Sequence, residues 1–328
     1  MKLETGNSKL KPPALRPGDT IGIVASASPV ERDRLEAGCD ALRRMGYVPI
    51  YDPSILDADL YFAGSVERRV RELENMFARP DVRAIICARG GYGCNHLLPH
   101  IDLDVVRRNP KIFMGYSDVT ALLTYFCDAA GLVTFHGPMA ARDFAQPNGV
   151  DEWSFRNLSE PTSATIREYF DDYQVRSLVE GHAQGTLYGG CLSILAASLG
   201  TPYEIRTEGT ILFIEDINAK PYQVDRMLMQ LKLAGKFVGV TGIIFGEMKQ
   251  CGAPAGSGYD LEDVLLRVIG DLNIPVACGF PSGHVRSRNH VIPVGASAFL
   301  KVSNTVQLGW EPAVAAVEPH AAGSSKSS

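Results

Sequence analysis

The sequence predicts an α/β protein of two domains: an N-terminal parallel sheet covered by helices, then a C-terminal α/β domain with mixed strands. Three observations predict it. Short apolar runs alternate with amphipathic helical stretches through the first half, the pattern of right-handed strand–helix–strand crossovers. The chain has 328 residues, and domains run to about 150 residues each. Its last apolar segments, residues 296–302 and 305–308, flank Ser303-Asn304 as a hairpin does, which brings antiparallel pairing into the second sheet.

Residues 20–25 read as a buried first strand. Lys9, Lys11 and the string Ala25-Ser26-Ala27 imitate an export signal with its cleavage site. The apolar stretch from Ile21 is shorter than the ~7–15 residues such a signal needs, and Pro17-Gly18-Asp19 interrupts any helix there. Ser28-Pro29-Val30-Glu31 reads as a capping box with proline at the first helical position. Leu35, Cys39, Leu42 and Met45 follow at helical spacing, and Gly46 ends that helix. Residues 47–51 are the next strand. Ser65 starts a second helix with Val66, Val70, Leu73 and Phe77 on one face, and Pro80 ends it. Residues 83–88 are continuously apolar after the first, as in a strand buried on both faces. Residues 111–116 form another such strand, followed by a helix over 119–130 and a strand over 132–135.

The next stretch has weak hydrophobic periodicity and carries Pro147-Asn148-Gly149 and Ser159-Glu160-Pro161-Thr162-Ser163. It divides the chain into an N-terminal domain (14–145), a connection (146–184), a C-terminal domain (185–312) and a small, polar, disordered tail (313–328). The second domain resumes at Gly189-Gly190 with a helix over 192–199 and a strand over 210–214. A helix opens at Pro221, with Val224, Met227, Leu228 and Leu231 on one face. A strand over 240–245, a helix over 261–269 and a strand over 274–278 complete it.

Composition narrows the function classes. Hydrophobic residues make up 45% and charged residues 21% of the chain, which excludes a disordered chain, a fibrous repeat and a small disulfide scaffold. A formal net charge of −5 argues against nucleic-acid binding. No uncharged apolar run approaches the ~18 residues of a membrane span. The seven cysteines are scattered with no C-x-x-C pair, so neither a disulfide framework nor a zinc knuckle is indicated. Free thiols suit a reducing cytoplasm.

The chemistry concentrates at strand ends. In Gly115-Tyr116-Ser117-Asp118-Val119 a buried strand runs straight into a helix. Such a turn lifts the serine hydroxyl above the sheet and points the following N–H, that of Asp118, at a developing oxyanion. Gly115 removes a side chain that would crowd the turn. Val119 departs from the G-x-S-x-G pattern, and a simple helix cap is the plain alternative for Ser117. Ala88-Arg89-Gly90-Gly91-Tyr92-Gly93 follows another strand and lets backbone approach a ligand closely. It is neither a complete G-x-G-x-x-G nor a P-loop, and it is placed to supply a second oxyanion donor. Of seven histidines, His284 is best placed as a base, just past the strand 274–278, with His290 and His136 as rivals. Glu215 and Asp216 end the apolar strand 210–214. Charges there need partners, and alternation lets only one of the two face a site. An ion pair or a cap at the Pro221 helix is the bland reading of Asp216.

Taken together these segments resemble the serine LD-carboxypeptidases, the muramoyl-tetrapeptide carboxypeptidase family that also includes the microcin C immunity peptidases. The resemblance runs from about Leu15 to Trp310. It rests on Leu15-Arg16-Pro17-Gly18-Asp19, the Arg89-to-Gly93 loop, Gly115-Tyr116-Ser117-Asp118, Leu187-Tyr188-Gly189-Gly190-Cys191-Leu192, Phe213-Ile214-Glu215-Asp216-Ile217, Pro221-Tyr222, Asp225-Arg226-Met227-Leu228 and Gly279-Phe280-Pro281-Ser282-Gly283-His284. No single block is specific; their order and spacing are.

The resemblance implies a triad of Ser117 as nucleophile, Glu215 as acid and His284 as base, with the N-terminal domain carrying the serine and the C-terminal domain the other two. The active site then lies at the domain interface. It implies an oxyanion hole from the amides of Asp118 and Gly91, no metal or other cofactor, and commonly a homodimer. The implied substrate is a small muropeptide whose terminal D-alanine leaves an L-centre, in cytoplasmic cell-wall recycling. A carboxypeptidase also needs a cation for the substrate carboxylate; Arg89, with its neighbour Gly90, is the candidate, and Arg286 and Arg288 lie near. Two rivals remain: hydrolysis of a peptidyl or aminoacyl nucleotide, and peptide binding without catalysis. Base stacking would call for an aromatic near the triad, yet Trp153 and Trp310 both lie outside these blocks.

Overall fold

The computed structural model describes residues 9–166 and 175–317. Within them the two expected sheets are present. The first carries strands β1 (Thr20–Val24), β2 (Val48–Ile50), β3 (Val82–Cys87), β4 (Ile112–Gly115) and β5 (Thr134–His136) in the order 2-1-3-4-5, all parallel. The order reverses between β1 and β3, and ligands gather beyond the carboxyl ends of strands at such a reversal. Helices α1 (Arg32–Arg44), α2 (Val66–Ala78) and α3 (Leu103–Arg108) cross over between these strands. The Ser65 hydroxyl caps α2 by accepting from the Arg68 N–H at 3.2 Å. The expected capping box at Ser28 does not form: α1 starts later, after Glu31, without a side-chain cap. The Ser28 hydroxyl instead accepts from the N–H of Tyr92 in the glycine loop. The helix expected over 119–130 is α4 (Thr120–Tyr125) continued by a π-helical turn, Phe126–Ala130, that ends at left-handed Gly131.

The second sheet surrounds four parallel strands, β8 (Gly181–Cys191), β9 (Thr210–Glu215), β10 (Gly242–Gly246) and β11 (Val276–Phe280). Antiparallel β13 (Ser297–Val302), β14 (Val306–Trp310) and β6 (Ala164–Ile166) extend it on one side, and antiparallel β7 (Arg176–Val179) on the other. The helices α6 (Leu192–Ala197), α7 (Pro221–Leu233) and α8 (Leu261–Ile269) belong to this half.

Three boundaries differ from the sequence reading. The stretch read as a connection, 146–184, holds the short helix α5 (Glu152–Arg156), both edge strands β6 and β7 and the start of β8. Short edge strands with little buried face carry little periodicity; β7 has no buried residue. Residues 167–174 lie outside the described residues. The strand β12 (Ile292–Val294), far down the C-terminal half, pairs antiparallel with β5 of the first sheet. The expected disordered tail begins too early: Ala313 and Val314 are buried, and the Ala315 N–H donates to the Pro12 carbonyl at 2.8 Å. The remainder of that tail, 318–328, lies outside the described residues.

One apolar core passes through both halves, taking in Leu15, Ile23, Ile112 and Met114 with Phe213, Ile244, Phe280 and Leu308. The junction is also tied by the Thr120 hydroxyl, which accepts from the Cys191 N–H at 3.1 Å. The two sheets therefore present their strand ends to a shared cleft from fixed positions.

Candidate active site

Ser117 sits where β4 gives way to a single helical turn, Ser117–Val119, and its φ is +62°. That left-handed conformation is rare for a residue with a Cβ and marks a backbone held by its surroundings. A Cβ on Gly115 would lie 2.8 Å from Val119 Cγ1, so the turn needs glycine there despite lacking the final glycine of the usual pattern. A Cβ on Gly90 would lie 2.8 Å from Ser117 Cβ and 3.0 Å from its Oγ. The glycine loop therefore lies directly against the hydroxyl. Gly91 has φ +119°, and any Cβ on it would collide with the Ser28 hydroxyl.

Buried charges brace this loop from beneath. The Asp118 carboxylate, 2% exposed, accepts from the Cys94 N–H at 2.7 Å and so ties the serine turn to the loop. The Arg69 guanidinium donates to the carbonyls of Ser26 and Gly93. Arg68 donates to the Ala25 and Ala63 carbonyls and pairs with Glu72 at 2.7 Å, while Glu72 accepts from the Ala25 N–H. Burial pushes Glu72 up to about 7 against the pull of Arg68. The apolar face of α2 was legible in the sequence. Its second buried face, Arg68, Arg69 and Glu72, was signalled only by the i, i+4 spacing of Arg68 and Glu72.

The opposite wall comes from the second sheet. Glu215 ends β9 and is 1% exposed. Its Oε2 accepts from the His284 backbone N–H at 3.0 Å and lies 2.7 Å from His284 Nδ1. Burial alone would raise this carboxyl; attraction to His284, with the hydrogen bond from His284 and the nearby His136, overcomes that and holds it at about 2. The chain wraps closely around the acid. A Cβ on Gly283, whose φ is +91°, would lie 2.6 Å from the Glu215 carboxyl carbon, and one on Gly246 would lie 2.6 Å from Glu215 Cβ. Asn289 fixes the Gly283 peptide from both sides, accepting from its N–H and donating to its carbonyl. Asp216 points away and caps α6, accepting from the N–H groups of Ser193 and Ile217. It caps that helix rather than the Pro221 helix.

Ser117 and His284 line one cleft of about 390 Å³ with Gly90, Gly91, Arg89, Tyr116, Arg34 and Arg142. The Tyr116 ring stands edge-on to the His284 imidazole at 5.0 Å. Arg89 is exposed and donates to the Pro29 carbonyl. Arg286 and Arg288 line an adjoining cavity of about 660 Å³, together with Arg34, Arg142 and Lys249. Arg34 and Arg142 are cleft residues that the sequence reading missed; Arg34 lies in the first turn of α1, directly after the switch-point strand. Neither tryptophan lines the cleft.

The rival histidines lie elsewhere. His290 is buried, with Nε2 3.6 Å from Asp151. His136 is buried behind Glu215, with Nε2 3.7 Å from Oε1. Among the described residues, one trio of metal-competent atoms comes within 4.8 Å: Cys191, Glu215 and His284. Two of these donors already bond each other, and burial with the nearby acids keeps the Cys191 thiol well above its usual range.

A serine on a strained strand-to-helix turn, faced across a two-domain cleft by a histidine on a buried carboxylate, is the layout of a serine hydrolase. Residues 21–137 match the model of the LD-carboxypeptidase N-terminal domain, and residues 184–300 that of its C-terminal domain. The chain belongs to the LD-carboxypeptidase family. It is 38% identical over 296 residues to a probable murein peptide carboxypeptidase of Bacillus subtilis, covering 89% of this chain and 92% of that one. The solved structure of MccF in complex with glutamyl sulfamoyl guanosine superposes with a TM-score of 0.86 at 27% identity, over 93% of this chain and all of that one. A muramoyltetrapeptide carboxypeptidase from Oxalobacter formigenes gives 0.78 at 29% identity, over 89% and 98% of the two chains.

Proposed function

We propose that this enzyme removes the terminal D-alanine from murein tetrapeptide, with Ser117, His284 and Glu215 acting as nucleophile, base and acid. The observation that carries the reading is the Glu215–His284 pair at 2.7 Å, opening onto the cleft that Ser117 lines. His284 takes the Ser117 proton as Oγ attacks the carbonyl of the L-centre. The amides of Asp118 and Gly91 receive the oxyanion, each donor being worth ~3–4 kcal/mol in comparable sites. His284 passes the proton to the leaving D-alanine nitrogen. It then activates a water that releases the tripeptide from Ser117. Glu215 holds the imidazole with Nδ1 towards itself and so leaves Nε2 for the chemistry.

The arginines suit this substrate. Murein peptide carries a carboxylate at its C-terminus and others along its length, and Arg89, Arg34 and Arg142 surround the serine. Arg89 is our choice for the terminal carboxylate, with Gly90 leaving the space beside it. On this reading the enzyme works in the cytoplasm as a homodimer and needs no metal.

Mass spectrometry of the protein incubated with murein tetrapeptide tests the assignment. Loss of one D-alanine, absent with Ser117→Ala, is the expected result. No loss from the tetrapeptide, with hydrolysis of an aminoacyl sulfamoyl nucleotide instead, would move the substrate to the antibiotic class. The observation that favours this second reading is the adjoining cavity, whose Arg34, Arg142, Lys249, Arg286 and Arg288 supply the positive charge that an anionic nucleotide attracts.

A further inference from the structure

His136 has no part in the reaction just described, yet it is completely buried and its ring points at the acid. Its Nδ1 lies 3.0 Å from the Ser282 hydroxyl. That hydroxyl has one proton, and it donates it to the His290 carbonyl at 2.8 Å, an oxygen that can only accept. Towards His136 the Ser282 oxygen is therefore an acceptor, and Nδ1 must carry a hydrogen. The other nitrogen, Nε2, faces Glu215 Oε1 at 3.7 Å, and among the described residues neither atom has a hydrogen-bond partner. A neutral ring would then aim a lone pair at a carboxylate oxygen where both atoms are closed off from bulk solvent, which is the costly arrangement of two unsatisfied acceptors.

We infer that a proton resides between His136 Nε2 and Glu215 Oε1, so that His136 is an imidazolium clamping the acid from behind while His284 holds it from the front. His136 is thus a positioning residue acting through Glu215. The inference rests on the reading of Glu215 as the partner of His284. Two consequences follow. The carboxylate is gripped at both oxygens and cannot swing away from His284. Its charge is also partly neutralised, so it pulls less on the proton that His284 acquires, and His284 stays a competent base to lower pH.

The surrounding groups do not supply this charge. Tyr116, 6.0 Å from the His136 ring, and Cys191 are kept neutral by burial, and Cys251 is pushed up to about 11. Asp216 is engaged with two backbone N–H groups. The hydrophobic wall is Phe213, whose ring lies 5.0 Å from that of His136. Asp143, held up to about 6 by burial, reaches the site through the Tyr116 hydroxyl. The limb that persists in Asp143→Asn is therefore the one that belongs to the histidines.

Nitrogen NMR of the full chain labelled with ¹⁵N-histidine tests the proton directly, with His136 assigned by its loss in His136→Gln. Both ring nitrogens should give protonated signals from pH 6 to 8. An unprotonated signal from either would overturn the inference. This arm uses no substrate, so its failure is distinct from failure of the proposed reaction. In kinetics, His136→Gln should move the acid limb of kcat/KM upward by about one pH unit or more, because the full charge of Glu215 then acts on His284. A uniform fall in kcat with the limb unmoved would reduce His136 to packing. Ser282→Ala removes the acceptor of Nδ1 with less disturbance, and a smaller shift in the same direction is expected. No shift in either variant would overturn the role.

Discussion

The two walls of the cleft are built on different physics. The serine wall is backbone: a positive φ at Ser117, glycines pressed against it, and buried arginines that hold carbonyls in place. The acid–base wall is charge: a carboxylate with almost no exposure, held between two imidazoles. Each wall buries a glutamate, and the two titrate oppositely. Burial drives Glu72 up to about 7, whereas two histidines bring Glu215 down to about 2. The serine wall therefore depends on shape and the other on electrostatics, and substitutions should separate the two.

The largest effect falls on the charged wall. Glu215→Gln keeps the size of the side chain but removes the charge that orients and stabilises His284. A loss in kcat of about 10⁴-fold is expected, as for an amide replacing the acid of a serine triad, with the fold retained by circular dichroism. A loss below tenfold would mean that Glu215 merely packs. On the serine wall, Gly90→Ala changes no charge. Its methyl would displace Ser117, and a shift of about 1 Å in a reacting group costs about 10²-fold. The decrease should appear in kcat at every pH; a limb that moves instead would make the loop an electrostatic element.

How far this contrast was legible from sequence follows from the same physics. Glu215 ends an apolar strand, and Ser117 and His284 lie within four residues past one, where a polar residue stands out against its run. Their junction was visible only through the resemblance, because it depends on how two sheets face each other. The arginines and Glu72 of α2 were hidden because charged residues on a helix normally read as a solvated face. His136 also stood out at a strand end, as a rival base. Its true neighbour could not be read, since β12 and the loop that presents Ser282 come from 146 or more residues away. The edge strands β6 and β7 and the packing of Ala313 and Val314 were missed because short segments with one contact face lack periodicity.

The smallest expected effect is on stability. Glu72 has a folded value above its ordinary one of 4.5, so its contribution is complete below about pH 4.5 and is lost as pH rises through about 7. Glu215 lies below its ordinary value, so its contribution is present above about pH 4.5 and is lost as pH falls through about 2. Thermal unfolding between pH 5 and 7.5 should show the wild type losing a few degrees that Glu72→Gln does not lose. Parallel curves for the two proteins would place the ionisation of Glu72 below this window.

In the proposed reaction Ser117 receives the acyl group from a peptide held between the two walls. Acid-quenched enzyme, mixed with murein tetrapeptide and measured by mass spectrometry after digestion, reads this directly. The expected result is a tripeptide acyl adduct on the fragment that contains Ser117 in the wild type, absent in Ser117→Ala. D-Alanine release by Ser117→Ala at the wild-type rate, with no adduct in either protein, would contradict it.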